Sequence, residues 1–282
     1  MLLFPLLAYL CPMFTLSEIH IYPVKSLGGI ALAESVVQRR GLQYDRRWML
    51  VNEANVFVSQ REIPTLAILG TALEPEQLVV YKKNNPADRI RIPLTNPESD
   101  MVAAPLRVWD DLFEGYIVSA GAAAEWFSDH AGQHLRLAFM PENGLRPADA
   151  RYAPSEQYVS FADGFPFLLT GQAALDELNR RMEHPLPTNR FRPNLVFTGG
   201  APHEEDKWTD IRIGSADFRC VKPCARCVLT TTDQDTAERG AEPIKTLATY
   251  RMENKKILFG QNVVWTGDGE TTIRVGDKVA VC

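Results

Sequence analysis

Short apolar runs punctuated by polar turn residues make about the first 110 residues read as mostly strand. The pattern starts near Leu16, where Ile19, Ile21 and Val24 lead into Pro23-Val24-Lys25-Ser26 and the double glycine Gly28-Gly29. Trp48-Met49-Leu50-Val51, a turn over Asn52 to Asn55, and Val56-Phe57-Val58 predict a β-hairpin. Further short runs at Leu66-Ala67-Ile68-Leu69, Leu78-Val79-Val80-Tyr81, Ile90-Arg91-Ile92 and Leu106-Arg107-Val108-Trp109 are separated by Pro, Asn and Asp. With no helix between them, these strands predict a barrel or sandwich.

The pattern then changes. Gly121 to Gly132 is Ala-rich and carries Trp126 and Phe127, and Gly171 to Met182, capped by Thr170, puts Leu175, Leu178 and Met182 on one face; both predict packing helices. After Leu186-Pro187, strands return around Leu195-Val196-Phe197, Ile211-Arg212-Ile213, Phe218 to Val221 and Val228 to Thr231. A short helix opened by Pro243 and strands Gln261 to Trp265 and Thr272 to Val275 close the chain. The expected fold is mainly β with helices (α+β), with a β-barrel-like domain over 13–130 and a second β-barrel domain over 131–282. No repeat or flexible linker separates them, so the two are expected to pack closely.

Composition narrows the classes of function. The 282 residues are 45% hydrophobic and 23% charged, enough apolar surface for real cores. Thirty Lys plus Arg against 35 Asp plus Glu give a net charge of −5, which argues against a broad nucleic-acid footprint and makes any anion site local. Met1 to Ser17 carries no charge, but it lacks the leading cations of a signal peptide, and Pro5 and Pro12 interrupt the run of about 20 apolar residues that a spanning helix needs. Residues 1–12 read as a non-functional extension with Met13 as the natural start, and no membrane partner is expected. Five cysteines, an odd and sparse count, fit a reducing compartment and not a disulfide framework.

Three of those cysteines, Cys220, Cys224 and Cys227, fall within eight residues, in the spacing C-x3-C-x2-C. Alternation along the strand puts Phe218 and Cys220 on one face, so Cys220 is expected in the core and a C-x-x-C remains. A zinc site would need a second ligand pair, and neither another C-x-x-C nor a nearby histidine exists. A redox dithiol would sit at a helix start, whereas β-type residues follow Cys227. Lys222 and Arg226 flank the thiols, and nearby cations favour the thiolate, the form that ligates soft metals. A single thiolate cannot hold a metal alone, which points to a cofactor bringing its own sulfur ligands and a phosphate. Basic elements to grip such a phosphate stand at Lys25-Ser26, Asp45-Arg46-Arg47-Trp48 and Asn189-Arg190-Phe191-Arg192-Pro193-Asn194. Each alone reads as solvated surface charge, and a loop of two idle cysteines is the competing reading; the combination carries the argument.

Other features read blandly. His130 and His134 have metalloprotease spacing, but Ala131 stands where the Glu base belongs. Glu204-Glu205-Asp206 reads as a solvated loop. Neither G-x-x-x-x-G-K-[ST] nor G-x-G-x-x-G occurs, so nucleoside triphosphate and Rossmann hydride chemistry have no support.

In combination, Tyr22 to Ser26, Asp45 to Trp48, Phe161-Ala162-Asp163-Gly164, Asn189 to Asn194, Cys224-Ala225-Arg226-Cys227 and Thr230 to Asp233 resemble the MOSC superfamily. The likeness is to its two-domain branch, an N-terminal MOSC β-barrel followed by a MOSC domain, which includes the mitochondrial amidoxime-reducing component and bacterial relatives. The resemblance implies a molybdenum cofactor (Mo-molybdopterin) with Cys227 as the catalytic metal ligand and Cys224 not a ligand. It implies cofactor contacts at Lys25, Ser26, Arg46, Asp163, Arg192, Asn194 and Arg226. Lys25, Arg46 and Arg192 would neutralise the pterin phosphate, and Asn194 and Asp163 would hydrogen-bond the ring. Gly164 and Phe165 stand where mitochondrial members have small hydroxyl residues. The implied activity is two-electron reduction of N-hydroxylated small molecules, amidoximes and hydroxylamines, in the cytoplasm. Electrons would come from a separate ferredoxin, flavoprotein or cytochrome-type donor. Two alternatives stay open: persulfide transfer through Cys227, and a cofactor-binding module without turnover.

Overall fold

The computed structural model describes residues 13–95, 100–119, 121–154 and 156–282; the expected extension over 1–12 lies outside them. Seven strands close into a barrel. Around the ring they run Phe167–Gly171, Leu195–Thr198, Phe14–Ile21, Lys278–Val281, Asp210–Ile213, Ala216–Ala225 and Lys256–Trp265, and the last pairs back onto the first through Phe167 and Val263. Closure leaves no edge to protect. One ring pair is parallel, Phe167–Gly171 with Leu195–Thr198, and the helix Gln172–Arg180 supplies the crossover that parallel strands require. Inward-facing Leu16, Phe167, Leu169, Leu195, Phe197, Ile211, Phe218, Val263 and Trp265 fill the interior.

A second core joins a four-stranded sheet (Trp48–Val51, Arg136–Phe139, Asp111–Val118, Met101–Val108) to a three-stranded one (Leu69–Glu74, Gln77–Lys82, Asn85–Pro93). Phe127 of the helix Gly121–Ala131 packs into it. Strands cross the boundary expected at 130/131 in both directions. Phe14–Ile21 belongs to the barrel, Glu34–Gln38 pairs with Thr271–Arg274, and Arg136–Phe139 joins the first sheet.

Several local readings change. Leu66 to Ile68 is not strand: Pro64 opens a 3-10 turn, Pro64–Ile68, that buries Leu66 and Ala67, and the strand begins at Leu69. Four apolar residues in a row carry no period, and a proline at a first turn is preorganised for it. Thr170 does not cap the following helix; it lies within the strand Phe167–Gly171, and Gly171 takes the N-cap position without a side-chain bond. Glu205 is not solvated. It is fully buried, and its carboxylate accepts from the Gly171 amide at 3.2 Å.

Burial pushes the Glu205 carboxyl up to about 7. A folded-state value above the unfolded one means that the folded protein holds this proton longer. Its stabilising effect is complete below about pH 4.5 and is lost as pH rises through 7. Glu205→Gln keeps an acceptor for Gly171 and removes the buried charge. Its melting temperature should therefore exceed wild type at pH 8 and match it near pH 4.5, a gain on the order of 3 kcal/mol at most. Thermal melts of both proteins across that range check this; parallel curves would overturn it.

Candidate cofactor cleft

The barrel mouth and the second unit enclose a cleft of about 350 Å³. All eight residues singled out from sequence, Lys25, Ser26, Arg46, Asp163, Arg192, Asn194, Arg226 and Cys227, lie on its wall. Among the described residues six cations line it, Lys25, Arg46, Arg61, Lys222, Arg192 and Arg226, against the single carboxylate of Asp163.

Three of these residues adopt left-handed backbone, Ser26 (φ 71°), Arg46 (φ 49°) and Arg192 (φ 55°). Such angles cost a residue with a side chain free energy and concentrate at functional sites. Tyr22 organises two of the guanidiniums. Arg46 and Arg192 lie 4.5 and 4.1 Å from its ring centroid, and its hydroxyl donates to the Pro193 carbonyl at 3.1 Å. Gly29 makes room for this ring: a Cβ there would stand 2.5 Å from Tyr22. Close approach, and not flexibility, explains that glycine.

Arg46 Nη1 donates to Asp45 at 2.6 Å and to Asn194 Oδ1 at 3.0 Å. The Asn194 amide also accepts from the Leu168 N–H at 3.2 Å and donates to the His20 carbonyl at 3.1 Å. Asn194 thus orients Arg46 and joins barrel strands, with most of its hydrogen-bonding capacity already used. Arg192 Nη1 donates to the Leu27 carbonyl at 2.6 Å, and burial lowers this guanidinium to about 10. Lys25 Nζ donates to Asp163 at 2.5 Å and to the Phe161 carbonyl at 2.8 Å. Burial brings the Lys25 ammonium down to about 8 even beside that carboxylate. The Asp163 side chain is half exposed, and although its packing in the cleft opposes the charge, Lys25 and Arg61 together hold its carboxyl far below the usual carboxylate range. The buried Arg146 fixes this stretch from behind, donating to the carbonyls of Ser160, Ala162 and Asp163. At Gly164 a Cβ would meet nothing within 4 Å, so the wall is bare there.

The strand Ala216–Ala225 delivers the cysteine loop. A bulge after Cys220 breaks its register. Cys220 packs against the barrel core, and burial raises its thiol to about 12. Cys224 accepts from Arg226 Nη1 at 3.0 Å. Cys227 is exposed. The residues after it are not strand: Val228–Thr231 is a 3-10 turn with Cys227 at its N-cap, closed by Thr230 N–H to the Cys227 carbonyl at 3.1 Å. β-Branched residues suggested extension here, but Arg190 overrides it by donating to the carbonyls of Thr230 (3.0 Å) and Thr231 (2.9 Å). Arg190 and Arg47 are therefore scaffold, Arg47 being buried and spent on the Met140 carbonyl.

Arg61 is the cleft residue that sequence reasoning missed. Its Nη2 lies 3.3 Å from Cys227 Sγ and 3.1 Å from Asp163. A lone arginine in a polar turn carries no local pattern.

The wall fits an anionic, metal-bearing cofactor on two counts. The buried Arg192 Nη2 and Arg226 Nε have no hydrogen-bond partner among the described residues, and buried polar groups rarely go unpaired. Among the described residues no cluster of three or more His, Cys, Asp or Glu could cage an ion, so a metal at Cys227 would arrive with further ligands of its own.

The closed barrel thus presents an exposed thiol over an arginine-rich cleft. Residues 13–134 match the MOSC N-terminal beta barrel domain and residues 156–280 the MOSC domain. The chain is 32% identical to mitochondrial amidoxime-reducing component 1 of Mus musculus, over 94% of this chain and 81% of that protein. It is 32% identical to the Homo sapiens protein of the same name, over 94% of this chain and 82% of that one. Identity to the molybdenum cofactor sulfurase of Arabidopsis thaliana is 27%, over 92% of this chain but 35% of the sulfurase. The chain belongs to the two-domain MOSC family. Among its described residues no helix is long and apolar enough to cross a membrane.

Proposed function

We propose that the cleft holds a molybdenum cofactor and that the protein reduces N-hydroxylated compounds. The observation supporting this most directly is that an exposed Cys227 thiol shares one cleft with Arg192 and Arg226, each of which has a buried guanidinium nitrogen with no acceptor among the described residues. The reaction balances as an amidoxime or hydroxylamine plus two electrons and two protons giving the amidine or amine plus water. A bound cofactor would supply the two-electron chemistry. Cys227 offers its sulfur to the metal. Lys25, Arg46 and Arg192 neutralise the phosphate, Arg226 offers its unpaired Nε–H, and Asp163 with Ser26 orients the pterin edge. Electrons come from a separate ferredoxin, flavoprotein or cytochrome-type protein. The sparse cysteines favour the cytoplasm, although the two amidoxime-reducing relatives above are named mitochondrial.

Protein purified from a host that makes the cofactor should carry close to one molybdenum and one pterin per chain. With a competent donor it should convert an amidoxime to the amidine. Labile sulfane sulfur on Cys227 without metal would replace this reading with sulfur transfer, and stoichiometric metal without turnover would leave a carrier.

A further inference from the structure

Arg61 belongs to none of the motifs above, yet the fold fastens it from both ends. Arg239 Nη2 donates to the Arg61 carbonyl at 2.7 Å and also to that of Gln60. Gln60 and Gln234 exchange two amide hydrogen bonds, at 3.1 and 3.0 Å, and Gln60 reaches the Ser26 carbonyl at 2.7 Å. The turn carrying Arg61 is thereby tied to the Ser26 loop and to the chain that follows the cysteines.

The side chain is held as firmly. Its guanidinium carbon lies 4.6 Å from the Trp109 ring centroid. Trp109 Nε1 donates to Asp163 at 3.3 Å, and Phe57 abuts the indole edge-on at 4.8 Å. Trp109 occupies the first turn position of the hairpin between Val108 and Asp111 with φ 56°. Glycine is the residue that adopts this backbone freely; tryptophan does so at a cost of roughly 1–2 kcal/mol. The strain keeps a large aromatic ring beside the cleft, under a guanidinium.

Among the described residues only Nη2 of Arg61 finds acceptors. Its Nε–H and Nη1–H2 groups remain for a ligand. Arg46 and Arg192 flank Tyr22, whereas Arg61 touches the sulfur itself. A rigid donor at the reacting atom stabilises charge that develops on a departing oxygen.

We propose that Arg61 binds the oxygen of the N-hydroxylated substrate beside Cys227, and that Trp109 is the positioning residue holding the guanidinium there. The assignment rests on the reductase reading. It gives substrate recognition an anchor on the N–O oxygen, separate from the phosphate grip.

Two measurements test it. In molybdenum-loaded protein, Arg61→Lys and Arg61→Gln should keep wild-type metal and pterin content while KM for an amidoxime rises tenfold or more. Trp109→Ala should follow them, and Trp109→Phe, which retains a ring face, should recover most of the loss. In cofactor-free protein, alkylation of Cys227 by anionic iodoacetate is compared with neutral iodoacetamide, with Cys224 in the same peptide as reference. The ratio cancels changes in thiol reactivity common to both reagents and reads the anion grip alone. Arg61→Gln should lower it at least fivefold. An unchanged ratio, or an unchanged KM at full loading in Arg61→Lys, overturns the proposal. A ratio lowered by Arg61→Gln, together with a metal-loaded wild type that reduces no N-hydroxylated compound, instead overturns the reductase reading, and the substrate assignment with it.

Discussion

Cys227→Ala is expected to abolish reduction of N-hydroxylated substrates, by a thousandfold or more, without unfolding the protein. The side chain is exposed, so its removal opens no cavity, and the 3-10 turn it caps is closed through its carbonyl and not its sulfur. Bound molybdenum should fall with activity, because neither neighbouring thiol can substitute. Cys224 is engaged with Arg226 Nη1, and Cys220 sits against the barrel core with a thiol that burial keeps protonated. Cys224→Ala and Cys220→Ala should therefore retain much of the activity. Elemental analysis, turnover and a thermal melt on all three variants decide the matter, and wild-type turnover in Cys227→Ala would remove the basis of the proposed function.

The second large effect separates two arginines of one motif. Arg192→Met keeps a long apolar stem against Tyr22 and deletes a guanidinium that is costly to bury and has an unpaired nitrogen. Cofactor loading should drop below about a tenth of wild type, with a melting temperature within a few degrees of it. Arg190→Ala should do the reverse. It strips buried donors from the Thr230 and Thr231 carbonyls and breaks the 3.0 Å contact with Asp233, a loss of about 3 kcal/mol. That corresponds to a fall of roughly 6–12 °C in melting temperature. Equal loss of loading in both variants at equal stability would contradict the roles assigned here. Metal content and calorimetry on the pair provide the comparison.

The barrel strands were legible because alternation along Phe14–Ile21 and Asp210–Ile213 records which side chains face inward. The cysteine loop and the basic motifs were legible because their chemistry is local to a few residues. The boundary between units was less so. A strand's partner is set by long-range pairing that leaves no mark in its own sequence, and Phe14–Ile21 finds its neighbours about 180 and 260 residues away.

By itself, then, the sequence determined a mainly β chain, a cysteine loop and a set of arginines suited to an anion. Only the tertiary structure decided which of those arginines reach the cleft. Arg190 and Arg192 are two residues apart and would share a face in a regular strand, but the 3-10 turn Thr188–Arg190 and the left-handed backbone at Arg192 send them to different tasks. Arg61 and Trp109 came from the fold alone, since they meet Cys227 and Asp163 across separations of 54 to 166 residues. Period and spacing describe neighbours along the chain, whereas a binding site is an arrangement of groups made adjacent only when the core has closed.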